Sequence, residues 1–424
     1  MSKTKRNGHH QKYDMAERKK HFFERIKYVC SAVGSPEAFD MIPKGKVGVL
    51  HKTRFLPFRI VPARGENIPE EVLKEMRSFF AGLLKYEKVP LTKDGPEITL
   101  AEYHAGASPF KLYLQTLKDY EFHSAADLKR ALSAFALFTE GDDIANNKIL
   151  TCISVIGFSS CNLNSRLYWG EWRMDIRMFE PYGFESLVLI HSYVPEKKSF
   201  MFDGTPRPAI RLCWAPSIIG KVQFITVEPT ALGLSTDKFA APLDVYVQSH
   251  ALKRLGERID CADDDVLHTD LCVSFVDPHI EKQTDGSYFI DFLYDLTKAG
   301  YLVADVQDGA LVIRTFLFIT NGGTPEGKKL QELTGMGRLD REFLAIDKLS
   351  TFISSDIRSN KELERLFSES GCECLLTLND KREHIVTKEV KASSILLLMK
   401  YIGAGTKEDF LIPDPIARFR KKFA

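Results

Sequence analysis

Residues 14 to 32, DMAERKKHFFERIKYVCSA, carry apolar side chains at the three- and four-residue spacing of an amphipathic helix. IPEEVLKEMRSFFAGLLKY from Ile68 opens as helices open, with Pro69 early and two glutamates in the first turn. SPFKLYLQTLKDY from Ser108 and SAADLKRALSAFALF from Ser124 each begin on a serine able to cap a helix. Residues 28–146 are therefore expected to be mainly helical, preceded over 1–27 by a basic tail running into the first helix.

Near Asn147 the period changes. KILTCISVIGF, RLYWGEWRMDIRMF, FESLVLIHSYV, AIRLCWAP and KVQFITVE are short, β-branched or aromatic, and separated by Gly, Pro, Asn and Asp. They follow one another too closely for crossover helices, so 147–242 is expected to be an antiparallel β-rich segment. Within it, alternation sets Arg173, Asp175 and Arg177 against Met174, Ile176 and Met178, the pattern of a half-buried strand.

From Leu243 the pattern reads strand (LDVYVQS), helix (HALKRLGERI), then four strands, DLCVSFV, GSYFIDFLYD, GYLVADVQ and ALVIRTFLFIT, with turns at TDG, KAG and QDG. This predicts an α+β unit over 243–320, a helix followed by a four-stranded meander. Residues 321–424 return to helical spacing in TPEGKKLQELTGMG, LDREFLAIDKLSTFISSD, SNKELERLFSES and VTKEVKASSILLLMKYIGA, and end in a basic tail. The expected class is α+β.

Composition adds limits. A chain of 424 residues, 44% hydrophobic, with 29 Phe and 14 Tyr, can bury a sizeable core in two or three domains. No uncharged apolar run reaches a membrane-spanning length of about 18 residues, and the basic N-terminus has no apolar stretch behind it, so no membrane contact and a cytoplasmic location are expected. Eight cysteines without a C-x-x-C pair read as reduced core residues. Cys372 and Cys374 lack a second pair for zinc and are expected as buried thiols on one strand face; no cofactor is called for.

Charge is unevenly placed. Residues 1–27 hold nine Lys/Arg against three Asp/Glu, and 416–424 hold four Lys/Arg and no acid, so the body between is net acidic. Such ends suit either phosphate contact or solubility.

The stretch His250 to Asp260 concentrates chemistry. On a helical wheel Leu252, Leu255 and Ile259 share one side, while His250, Arg254, Glu257 and Arg258 gather on the other. A histidine beside two guanidiniums can move protons near neutral pH and steady a phosphodiester without a metal. Cleavage of RNA asks for little more, because the 2′-hydroxyl is an internal nucleophile. No Walker A motif, G-x-S-x-G, H-E-x-x-H or dinucleotide fingerprint offers an alternative. The plain alternative is a solvated charged face.

HALKRLGERI, preceded by a strand and followed by a meander ending in VIRTFLF, resembles small bacterial RelE-like domains of the superfamily that joins barnase, EndoU and RelE. That resemblance spans roughly 243–320. It implies a metal-independent, toxin-like ribonuclease with His250 transferring protons, Arg254 and Arg258 binding phosphate, and Thr315 and Arg314 on the last strand completing the site; Lys253 would assist in substrate binding. The acids that follow, Asp260, Asp263, Asp264 and Asp265, would repel nucleic acid. The competing expectation is a non-catalytic protein on the same scaffold, contacting a protein or nucleic acid.

Minor candidates are the glycine-rich turn Thr320 to Leu330, which could hold a phosphate at a helix N-terminus, and Trp169 with Trp172, which could stack a base. His104, His123, His191, His268 and His279 are expected to be structural or exposed.

Overall fold

A computed structural model describes residues 3–178, 183–215, 217, 220–235, 241–355 and 357–381, with side chains from residue 16 onward. Helices, mixed sheets and antiparallel hairpins coexist, so the class is α+β. No described helix is long and apolar enough to cross a membrane. Chain contacts divide the protein into two units: residues 1–161, 167–193 and 215–222 form the first, and 162–166, 194–214 and 223–424 the second.

The first unit is built on helices α1 (Lys3–Ala32), α2 (Glu70–Tyr86), α3 (Ser108–Thr116) and α4 (Glu140–Ser159). Helix α1 begins well before the periodic stretch from Asp14, so the expected tail is helical from Lys3. A three-stranded sheet sets β1 (Arg59–Pro62) parallel to β3 (Gly183–Tyr193), with β2 (Leu167–Arg177) antiparallel on the outside. KILTCISVIGF, expected as a strand, is instead the second half of α4. Its buried residues Ile149, Cys152, Ile153 and Ile156 are three or four apart, and a continuous apolar run suits either element until its partner surface selects one. Gly170 makes that surface possible: a Cβ there would lie 2.4 Å from Ile153 Cγ2.

Two polar groups are locked inside this unit. Lys111, 2% exposed, places Nζ 3.1 Å from Asp142 Oδ2 and 3.1 Å from Tyr103 Oη, and donates to Phe138 O at 2.7 Å. Tyr103 in turn donates to Asp142 at 2.7 Å, so every donor of the ammonium is answered. His104, on a single π-helical turn (Tyr103–Ala107), stacks on Phe58 with ring centroids 4.1 Å apart and lies 3.3 Å from Ser186 Oγ.

Burial pushes the His104 imidazole down to about 4 from its ordinary 6.5, so it is neutral in the fold. Below pH 6.5 the unfolded chain takes up a proton that the folded one refuses. Stability present above pH 6.5 is thus lost as pH falls to about 4, by up to about 3 kcal/mol. Urea unfolding at pH 7 and pH 4 should show this loss in the wild type, and His104→Phe should remove that part of the slope.

The second unit holds a sheet in the order β7-β8-β9-β10-β6-β5-β4: β4 (Lys197–Phe202), β5 (Thr205–Arg211), β6 (Leu243–Gln248), β7 (Ile280–Lys282), β8 (Tyr288–Tyr294), β9 (Thr297–Gln307) and β10 (Ala310–Phe318). Strands β7 to β10 form an antiparallel meander, and β10 closes it by lying parallel to β6 with Val245 beside Leu311. Between β6 and the meander come two helices, α5 (Ser249–Arg258) and α6 (Asp264–Val273).

DLCVSFV, expected as the first meander strand, is therefore the end of α6 and the residues just beyond it. Asp264 and Asp265 fall in its first turn, where carboxylates favour the helix dipole, and Leu267, Leu271 and Cys272 are buried at helical spacing. Of the expected turns, QDG is a two-residue hairpin with Asp308 and Gly309 both at positive φ. KAG is not a turn: the chain reverses at Asp295 and Leu296, and Gly300 sits within β9, where a Cβ would meet Leu317 O at 2.2 Å.

Helices α7 (Pro325–Thr334), α8 (Arg338–Leu344), α9 (Leu349–Ile353), α10 (Lys361–Glu369) and α11 (Cys374–Asp380) complete the described chain. Cys372 is buried, but Cys374 starts α11, so the pair does not share a strand face. Burial pushes both thiols up to about 12. The helix expected at 386–404 and the basic C-terminal tail lie outside the described residues.

Candidate functional site

Helix α5 folds as its wheel requires on one side. Leu255 and Ile259 are buried, Ala251 takes the third buried position, and Leu252 is only partly covered. On the other side the charged residues separate into different environments.

His250 is exposed, and no described residue bonds to its ring nitrogens. Lys253 is also exposed and reaches Glu257 only loosely, at 3.8 Å. Arg254 pairs with Glu257 one turn along, Nη1 to Oε2 at 2.9 Å, with both side chains partly in solvent. Such a pair contributes well under about 1 kcal/mol and exchanges readily with another anion. Glu257, on the same side of the wheel, is the carboxylate that partly neutralises these cations.

Arg258 behaves differently. Its guanidinium is mostly buried and donates to Asp347, which is 9% exposed, in the segment between α8 and α9. Burial raises the Asp347 carboxyl while the guanidinium works against that shift. Asp260 is partly buried and also engaged, accepting from Ser350 N at 3.0 Å and Ser350 Oγ at 2.8 Å. The last turn of α5 is thus an anchor for the helices that follow the meander.

Arg314 and Thr315 do not join His250. Between β9 and β10 the register passes from Val303 opposite Thr315 to Ala304 opposite Ile313, leaving Arg314 as the extra residue of a bulge. Arg314 faces Asp305, Nε to Oδ2 at 2.7 Å, and lies 6.0 Å from the Phe202 ring. That is the sheet side on which Phe200, Tyr246 and Val312 cluster. Thr315 registers beside the cluster of Phe289, Tyr301 and Val303. By alternation the buried Val245, Val247, Leu311 and Ile313 turn to the opposite side of the sheet, and α5 packs along β10 and β6. The His/Arg helix and the Arg-Thr strand pair therefore present to different surfaces.

A cleft of about 390 Å³ runs between α5, α6 and the turn 162–166, lined by Asn162, Asn164, Ser249, Lys253, Glu257 and Asp264 over a floor that includes Leu252 and Leu267. His268 borders it but is buried, with a ring nitrogen 2.7 Å from Cys213 O and its pKa lowered by burial. Sequence spacing gave no sign of this cleft, because Asn162 and Asn164 come to α5 from about ninety positions upstream.

The remaining candidates are accounted for locally. In the glycine-rich turn, Thr324 caps α7 by accepting from Gly327 N at 3.0 Å, and Glu326 is held by Tyr301 at 2.7 Å, so the helix start is filled by the chain itself. Trp169 stacks on His191 with centroids 5.2 Å apart and is buried. His279 lies 3.2 Å from Asp291.

The fold and this site define an α+β protein whose second unit carries a half-neutralised basic helix beside a cleft of mixed polar and apolar lining. Comparison of the chain with family profiles, curated proteins and solved structures finds no match in any of the three.

Proposed function

We propose that α5 is a non-catalytic contact face for the phosphate backbone of RNA, formed by His250, Lys253 and Arg254. The observation that carries this reading is the accessibility of the polar side of the first two turns of α5, where His250 has no internal partner among the described residues and Arg254 is held by a solvent-accessible carboxylate. Phosphate contacts need accessible cations and little else. Cleavage needs a second group for proton transfer and cations aimed at the scissile phosphate. Arg258 is turned inward to Asp347, and Arg314 and Thr315 lie across the sheet, which weighs against catalysis.

The test uses a labelled single-stranded RNA in EDTA with the full chain and with His250→Ala and Lys253→Ala/Arg254→Ala variants. Anisotropy should show binding at low salt, weakened alike for all sequences in the double variant, with the salt slope reduced by about 1.4. The RNA should remain intact. Absence of binding in the wild type, or binding unchanged in the double variant, would refute the reading. Cleavage that requires His250 would instead establish a ribonuclease.

A further inference from the structure

Strand β2 is the outer strand of the first unit's sheet, and its second half is exposed on both faces. Met174 is 40% exposed, Ile176 66% and Met178, just beyond the strand, 72%, although alternation places them on the side expected to be buried. Exposed apolar side chains on an unpaired strand edge are what soluble proteins ordinarily avoid.

Beyond Gly170, no described residue bonds to the backbone of this edge. Gly170 N–H points away from β3, to Ser217 Oγ at 3.1 Å. Ile190 and Phe184, which register opposite Gly170 and Ile176, spend their backbone groups on the far side of β3: Ala63 N donates to Ile190 O, and Phe184 bonds with Arg54 and Leu56. By alternation, Trp172, Met174 and Ile176 direct their N–H and C=O groups outward.

The side chains are self-complementary about one residue. If β2 pairs antiparallel with a copy of itself so that Met174 meets Met174, Arg173 falls opposite Asp175 and Glu171 opposite Arg177, each twice. On the other face Trp172 falls opposite Ile176. Centring the pairing on Arg173 or Asp175 instead sets Arg against Arg. Within its own sheet Asp175 lies opposite Glu185, a like charge, and no described cation pairs with it.

We propose that β2 is a homodimer interface, in which two copies of this chain pair antiparallel across a two-fold axis at Met174 and join their three-stranded sheets into one continuous sheet. The pairing uses an edge that no described strand occupies, sets Met174 and Ile176 beside apolar cross-strand neighbours, and gives Asp175 a cation. An isologous contact of this kind closes on itself and leaves no edge to propagate.

Light scattering on the full chain should give twice the 48.1 kDa of one copy. Arg173→Asp and Asp175→Arg, made singly, each replace two opposite-charge pairs by like-charge pairs and should weaken the dimer roughly tenfold or more. Made together they restore the pairs and should restore the dimer, which a folding defect would not do. Met174→Cys brings two sulfurs across the axis at a Cα separation of about 5.5 Å and should cross-link on oxidation, whereas Ile176→Cys leaves the Cα atoms about 14 Å apart and should not. A monomeric wild type at about 100 µM, about a hundred times a micromolar dissociation constant, would overturn the proposal. So would a dimer indifferent to the single reversals, or equal cross-linking at 174 and 176.

Discussion

Lys111→Ala should destabilise the first unit by about 2 to 3 kcal/mol: it leaves Asp142 without its cation, but that carboxylate is 32% exposed and stays partly hydrated, so the loss falls below that of a fully buried pair. The ammonium is 2% exposed and engages Asp142, Tyr103 and Phe138 O together, so its removal strands a carboxylate, a hydroxyl and a carbonyl at once. Phe135, with its ring centroid 5.2 Å from Nζ, helps to wall the site against water. The pair as a whole need not be worth that much: Lys111→Met combined with Asp142→Asn replaces both charges and should recover most of the loss. Urea unfolding of the two variants against the wild type checks both statements. Equal loss in the single and the double variant would show that packing around Lys111, not charge, is what matters.

Arg258→Ala should cost the second unit about 3 kcal/mol at neutral pH, whereas Arg254→Ala, one turn earlier, should change stability by less than about 1 kcal/mol. The contrast follows from burial: Asp347 is 9% exposed, Glu257 39%. Without the guanidinium, burial is opposed only by a backbone N–H and Lys348, so the Asp347 pKa in the fold rises further above its unfolded value. The folded variant binds the proton more readily than the unfolded chain, so its stability falls as pH rises. The gap to the wild type should therefore narrow toward acid pH, where Asp347 is protonated in both. Thermal unfolding at pH 7 and pH 5 reads this directly. A gap that stays constant would mean that Arg258 contributes through its aliphatic stem.

Arg258 shows what residue spacing along a helix leaves open. His250, Arg254 and Arg258 do share one line along α5, as their spacing of four demands. Whether a guanidinium on that line is available to a ligand depends on Asp347, 89 positions away and in a segment whose own pattern reads only as helical. Arg314 and Thr315 were placed on the last strand of the meander, and they are there, but a bulge and the choice of sheet face put them on another surface. In β2 the alternation of charged and apolar residues was legible, while the exposure of Met174 and Ile176 was not.

By itself the sequence determined what short stretches of backbone decide. The helical starts at Pro69 and Pro325, the two-residue turn at Asp308 and Gly309, and the α+β class follow from local dihedral preferences and from hydrophobic period, which act over a few residues. Tertiary structure alone decided that Lys148 to Phe158 is helix, that Asp264 and Asp265 open a helix, and which charges are already neutralised. These outcomes depend on partner surfaces contributed by distant parts of the chain. Burial and ion pairing are properties of those contacts, which no local pattern encodes.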